Sequence, residues 1–211
     1  MISIPTSSES RPITLIGAGG HARVAAACAR RASLVIGTVL DADPDRFGQV
    51  VGGVEVTADD QRGDSPFHLA IGSNRTRHDL AFARPSADWA TIIDPDASLA
   101  DDVICDVGIL IGMGARVQAG ARLGRHVIVN TGAIVEHDCV VGDFAHIAPG
   151  AVLTGAVQVG EGVMVGAGSV ILPGLTLGDW AVVGAGAVVT RSVEAGTTVV
   201  GNPAHRVEPR R

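Results

Sequence analysis

The stretch NTGAIVEHDCVVGDFAHIAPGAVL, Asn130 to Leu153, decides the fold. Val135, Val141, Ile147 and Leu153 recur in it every sixth residue. The same phase runs outward in both directions, from Ile93 to Val189, and is never broken. Of the seventeen positions in that phase, sixteen are Ile, Leu or Val, and the other is Cys105. The residue two before each is also small or aliphatic, as at Ala115, Ala121, Val127, Ala133, Cys139 and Ala145. A period of six is neither helical nor a simple alternation. It suits a chain that makes one short strand and one corner per six residues, so that three units close a triangular coil. The two apolar positions, two residues apart, then point into the coil together. Gly follows many of the aliphatic residues, as at Gly112, Gly124, Gly142, Gly160, Gly166, Gly178 and Gly184. These glycines are expected to supply the corners, where left-handed backbone angles are needed. Residues 93 to 189 make about five coils, stacked at roughly 4.8 Å per layer.

The composition agrees. The chain has 211 residues, 28 of them Gly, with 46% hydrophobic residues but only 3% aromatic and no Tyr. A core of similar aliphatic layers is therefore expected, not one of interlocking rings. All 16 positive charges are Arg, which excludes Schiff-base and P-loop lysine chemistry. The net charge of −6, with no basic run beyond Arg210-Arg211, argues against a nucleic-acid partner. Residues 1 to 11 are polar and carry no apolar signal-peptide core. The longest uncharged stretch near the centre, Gly162 to Gly178, holds five Gly and a Pro, so no membrane span is expected. Cys28, Cys105 and Cys139 read as reduced thiols of a cytoplasmic protein. No His, Asp and Glu spacing suggests a metal.

Residues 11 to 90 read as a different unit. Ile13–Ile16, Leu34–Leu40 and Phe67–Ile71 are expected strands; residues 22–31 and 74–84 are expected helices, the second capped by Asn74. Alternating strands and helices imply a parallel sheet. Between the first strand and helix, Gly17-x-Gly19-x-x-Ala22 matches the nucleotide-binding fingerprint, with Asp41 at the end of the next strand. A bare tight turn and a full dinucleotide site are alternatives. The unit is half the size of a dinucleotide fold, which favours the mononucleotide part of a larger ligand.

In the repeat, His137 lies two residues after the interior Val135, so its side chain should leave the coil. Ala119 and Gly155 stand one coil away on either side and leave room beside it. Glu136 and Asp138 flank it and could orient the imidazole and raise its basicity. His146 precedes interior Ile147 and should also face outward. Cys139 should point inward, which makes it a poor nucleophile. His68, His78, His126 and His205 have no such context.

These features together resemble the hexapeptide-repeat acyltransferases, which fold as a left-handed parallel β-helix. The stretches IGAGGHA, LDADP, AIGSNRTR and NTGAIVEHDCVVGDFAHIAPGAVL resemble the branch of sialic-acid O-acetyltransferases and nucleotide-amino-sugar N-acetyltransferases. The resemblance runs from about Ile13 to Val207. It implies a Rossmann-like N-terminal domain (residues 1–90) that binds a nucleotide sugar. A left-handed β-helix domain (residues 91–211) follows, binding acetyl-CoA in grooves between the subunits of a homotrimer. It implies His137 as general base and Asp138 as the acid that supports it. It further implies Gly19, Gly20, His21, Asp41 and Gly72 at the acceptor, with His146, Gly155, Asn202 and Pro203 at acetyl-CoA. No metal is implied. Ala42 departs from the family, which often has a second acid there; Asp43 follows. The expected reaction is direct N-acetylation of a nucleotide-linked amino sugar. O-acetylation of a sialic acid or similar sugar, and a non-catalytic nucleotide-sugar-binding scaffold, are the alternatives. Outward positions between Asp143 and Asp179 carry one charge, Glu161, and form a candidate subunit interface.

Overall fold

The computed structural model describes residues 11–59 and 66–207. The polar segment before Arg11 and the Arg210-Arg211 end lie outside the described residues. None of the described helices is long and apolar enough to cross a membrane.

The repeat folds as a parallel β-helix whose two-residue strands pair with those one coil away. Val117, Val135, Leu153, Ile171 and Val189 stand in one column, each 18 residues from the next. All five are 0–1% exposed. Burying each such side chain contributes about 1.5–3 kcal/mol. Ala115, Ala133 and Ala151, two before members of that column, are buried beside them. Ser169 takes the same slot in the next coil and satisfies its hydroxyl on the Gly166 carbonyl at 2.7 Å. The strands form three faces. The first carries Ile92–Ile93, Leu110–Ile111, Ile128–Val129, His146–Ile147 and their successors. The second carries Arg116–Val117, Ile134–Val135 and Val152–Leu153. Arg122–Leu123, Val140–Val141 and Gln158–Val159 belong to the third.

The glycines that follow the aliphatic residues do not make the corners by left-handed angles. The left-handed position is three residues before the aliphatic one, as at Gly150, Gly168 and Gly186, with φ near +66°. The glycines after the aliphatic residue are required by close stacking instead. A β-carbon on Gly166 would lie 2.5 Å from the Val183 carbonyl oxygen and 2.6 Å from the Ala185 nitrogen. Both atoms are backbone of the next coil and cannot yield.

The N-terminal unit is a sheet of β1 (Ile13–Ile16), β2 (Ile36–Asp41), β3 (Val50–Val51), β4 (Val54–Ala58) and β5 (Phe67–Leu69), in the order β3-β4-β2-β1-β5. It is parallel from β4 to β5, as expected. The short β3 pairs antiparallel with β4 through Gly52-Gly53 (φ +61° and +89°), a two-residue hairpin turn. Helix α1 runs Gly20–Arg31 and helix α2 runs Asn74–Phe82. The cap of α2 is Ser73, whose hydroxyl accepts from the Thr76 N–H, and not Asn74. Asn74 instead turns into the β-helix and donates to the Gly162 and Val163 carbonyls at 3.0 and 3.1 Å.

The unit packs on the first face. Ile92, Leu110 and Ile128, which point out of the coil, are buried in one cluster with Leu15, Ala22 and Ala29. Arg31 reaches from α1 to the buried Asp94 at 2.9 Å. Gly166→Ala is expected to cost about 2 kcal/mol or more through overpacking. Gly186→Asn, at an open left-handed corner, should cost less than about 1 kcal/mol. Urea unfolding of the two variants checks the assignment of the two glycine classes.

Candidate active site

The corner between the second and third faces carries His137. Its Nδ1 is 2.9 Å from Asp138 Oδ2. A carboxylate only accepts, so Nδ1 carries the hydrogen and the Nε2 lone pair is left free. Asp138 sits at the left-handed corner position (φ +60°), which Asp tolerates better than most residues. Among the described residues Glu136 makes no bond to the ring; Asp138 is the partner. A β-carbon on Gly155 would lie 2.5 Å from His137 Nε2, so only Gly leaves the ring this place. The side chains of His137 and Asp138 are 62% and 69% exposed. Among the described residues nothing covers them. Cys139, next in sequence, points inward, 0% exposed, and donates to the Thr154 carbonyl. Burial raises its pKa, which disfavours a thiolate.

His146 leaves the coil as its position dictates, but the N-terminal unit covers it and it is 7% exposed. Asn130 Oδ1 accepts from the Thr131 N–H, so its Nδ2 donates to His146 Nε2 at 3.0 Å. His146 Nδ1 then donates to the Gly72 carbonyl at 3.3 Å. Both ring nitrogens are engaged. The His21 ring, at the start of α1, lies 5.9 Å from it, with a buried Nε2 that has no hydrogen-bond partner among the described residues. His21, Gly72, His146 and Asn130 thus meet at the junction of the two units.

Arg77 holds that junction, and the sequence reading passed over it. It lies in α2, within AIGSNRTR, and is 1% exposed. Its Nη1 donates to the Ile71 and Gly72 carbonyls at 3.1 Å each. Its Nη2 donates to Phe144 and Ala145 at 2.7 and 3.4 Å, and Nε to His126 at 3.3 Å. Two of these carbonyls belong to the N-terminal unit and three to the β-helix. Burial lowers its pKa only to about 9, so the charge persists at neutral pH.

At the Gly-rich turn, Asp41 Oδ2 accepts from the Ala18 N–H at 2.7 Å, and Oδ1 from the Asp43 N–H at 2.9 Å. The acid therefore shapes the turn as well as standing beside it. Gly19 and Gly20 begin α1, whose cap uses no side chain. Asn202 and Pro203, joined by a cis peptide bond, lie in the exposed turn after the last parallel strand.

The candidate residues therefore fall into separate groups in one chain. His137, Asp138 and Gly155 share one corner. Gly19, Gly20, His21, Asp41, Gly72 and His146 gather where the N-terminal unit meets the first face. In a triangular coil the corner between the second and third faces is opposite the first. Asn202 and Pro203 are apart from both groups. Among the described residues no group of His, Cys, Asp and Glu could hold a metal.

The chain matches two family profiles. One is described as bacterial transferase hexapeptide (six repeats), over residues 120–155 and 156–191. The other is the PglD N-terminal domain, over residues 12–82. Among solved structures, it is similar to a perosamine N-acetyltransferase from Caulobacter crescentus, solved with CoA and GDP-perosamine. The identity is 33%, the TM-score 0.88, and the match covers 94% of this chain and 98% of that one. Forms of that enzyme with one histidine replaced by Asn or Ala have also been solved with the same ligands. The acetyltransferase domain of PglB from Neisseria gonorrhoeae, solved with acetyl coenzyme A, is 34% identical (TM-score 0.87) over 94% of this chain and 100% of that one. WeeI from Acinetobacter baumannii is 27% identical (TM-score 0.84) over 93% and 99%. A β-helix with an appended α/β unit of the PglD type defines the class, an acyltransferase. Within it, the chain belongs to the hexapeptide-repeat acetyltransferase family, in the branch with a PglD-type N-terminal domain.

Burial first, with the Arg77 charge as a smaller cause, lowers the pKa of His21, His68 and His146 from 6.5 to about 4 and that of His126 to about 3. They are neutral when folded, while the unfolded chain takes up protons below its ordinary histidine value. Their contribution is complete above pH 6.5 and is lost as the pH falls toward 4. Urea midpoints should fall steadily from about pH 6.5 to about pH 4.5. A flat midpoint over that window would contradict neutral, buried histidines at the junction.

Proposed function

We propose that this protein transfers the acetyl group of acetyl-CoA to the amino group of a nucleotide-linked amino sugar. The observation that carries the reading is the His137–Asp138 pair, with a free Nε2 on an open corner against Gly155. The acceptor nitrogen attacks the thioester carbonyl carbon, and its proton passes to His137 Nε2. Asp138, on Nδ1, stabilises the imidazolium that forms. The tetrahedral intermediate collapses, the C–S bond breaks, and the coenzyme A thiolate takes the proton back from His137. No acyl-enzyme forms, consistent with the buried Cys139. The nucleotide rests on the turn at Gly19 and Gly20 beside Asp41, and acetyl-CoA lies along the coil at Gly155, with Asn202 and Pro203 toward its far end. The same acetyl-CoA meets His146 of a neighbouring copy, through the ring surface, because both ring nitrogens are engaged within the chain. The relatives solved with CoA, acetyl coenzyme A or GDP-perosamine support the substrate classes.

His137 faces away from the nucleotide unit of its own chain. The site is therefore completed by another copy, in a homotrimer acting in the cytoplasm. The outer column Ile134, Val152, Val170 and Val188 on the second face supports this. Such an apolar column marks an interface.

Incubation with acetyl-CoA and a thiol reagent, across GDP-, UDP- and dTDP-linked amino sugars and free sialic acid, tests the reaction. Thiol release only with an amino-sugar nucleotide is expected. Release only with sialic acid would support O-acetylation, and none at all a binding scaffold. His137→Ala should lower kcat by about 10²- to 10⁴-fold with the fold intact. Gly155→Ala should displace the His137 ring and lower kcat while changing stability by less than about 1 kcal/mol. Light scattering should give three times the chain mass of 21.4 kDa.

A further inference from the structure

Arg46 ends the short turn Pro44–Arg46 that follows β2. Asp43 caps this turn, its Oδ1 accepting from the Asp45 N–H at 3.1 Å. Its other oxygen accepts from Arg46 Nε at 3.3 Å, and Asp41 Oδ2 lies 3.7 Å from the same Nε. Two carboxylates thus hold one edge of the guanidinium. Asp43 is thereby committed to the turn and to Arg46, and does not replace the acid missing at Ala42.

The other edge faces the Gly-rich turn. A β-carbon added at Gly19 would lie 3.5 Å from Nη1 and 4.0 Å from Nη2, so the fork lies over bare backbone. Neither Nη has a hydrogen-bond acceptor among the described residues, and the side chain is 37% exposed. Asp41 and Asp43 spend oxygens on the N–H groups of Ala18, Asp43 and Asp45, which offsets part of their charge. A guanidinium fixed on its Nε side, with both Nη groups open, matches the planar, bidentate geometry of phosphate oxygens.

We propose that Arg46 binds the diphosphate of the acceptor nucleotide, between its Nη groups and the turn at Gly19. The assignment rests on the nucleotide-sugar reading above and adds a residue and a ligand group to it. It discriminates by the diphosphate, whichever base is attached. GDP and UDP should therefore depend on Arg46 more than GMP and UMP do.

Calorimetric titration of GDP, UDP, GMP and UMP into the full-length protein and its Arg46→Met and Arg46→Lys variants tests this. Arg46→Met should weaken the diphosphates by about 10- to 100-fold. The monophosphates should weaken less. Arg46→Lys should recover part of the loss, as a point charge without the fork. Coenzyme A affinity, measured on the same samples, reports that Arg46→Met is folded and assembled. In turnover, the loss should fall on the acceptor KM more than on kcat. Unchanged diphosphate affinity in Arg46→Met would overturn the assignment, as would equal losses for mono- and diphosphates. If the unaltered protein bound none of the four nucleotides, the nucleotide-sugar reading would fall as well, which separates the two failures.

Discussion

The arrangement of this molecule depends on a buried cation with no carboxylate partner among the described residues. Arg77 is solvated by carbonyls of Ile71, Gly72, His126, Phe144 and Ala145. The charge is tolerable only where both units present those oxygens together, because an unsatisfied buried cation is costly. The N-terminal unit is thus held against the first face in one register. The same register sets Gly72 against His146, and so places the junction with His21. Burial keeps His21 and His146 neutral, and the Arg77 charge adds to it.

Ring-bearing residues show how the two units divide the packing. The coil interior takes Ile, Leu, Val and Ala in every layer and has no space for rings. Five of the six aromatic residues lie at the seam between the units instead. Phe67, Phe82, Trp89, Phe144 and Trp180 meet one another or His78 and His126 there. His126, Phe144 and Trp180 take left-handed backbone angles to do so, the first two stacked at 5.1 Å. That geometry is uncommon for bulky residues and is sustained by the packing around it. Arg75, 3.5 Å above the Trp180 ring, closes the seam on its solvent side. The aromatic-poor composition therefore reflects the coil, and the few rings mark where something docks on it.

Much of this was legible in the sequence because the coil repeats. A six-residue phase fixes which residues point inward, so the interior column, Cys139 and the exposure of His137 followed from counting. The Gly-rich turn was legible from its spacing. The roles of the glycines after the aliphatic residues were not, since close stacking and a left-handed angle both select Gly. The hairpin at Gly52-Gly53 had a signal, two glycines between short Val-rich runs, that the α/β reading overlooked. Arg77 and Asn74 could not be found by periodicity. Their partners are backbone carbonyls of another unit, which leave no mark in the pattern. The burial of His146 was hidden for the same reason. Its position in the coil gives its direction, but not what covers it.

The central claim is that the His137 corner of one chain works with the nucleotide unit of another. Complementation between two inactive variants tests it most directly. His137→Ala lacks the base, and Gly19→Glu places a carboxylate where the nucleotide phosphates would lie. Each alone should be inactive. When the two are unfolded and refolded together, and mass spectrometry shows mixed trimers, roughly one quarter of the sites should combine an intact corner with an intact turn. The account predicts activity near that fraction. Mixed trimers that remain inactive would contradict a site shared between chains.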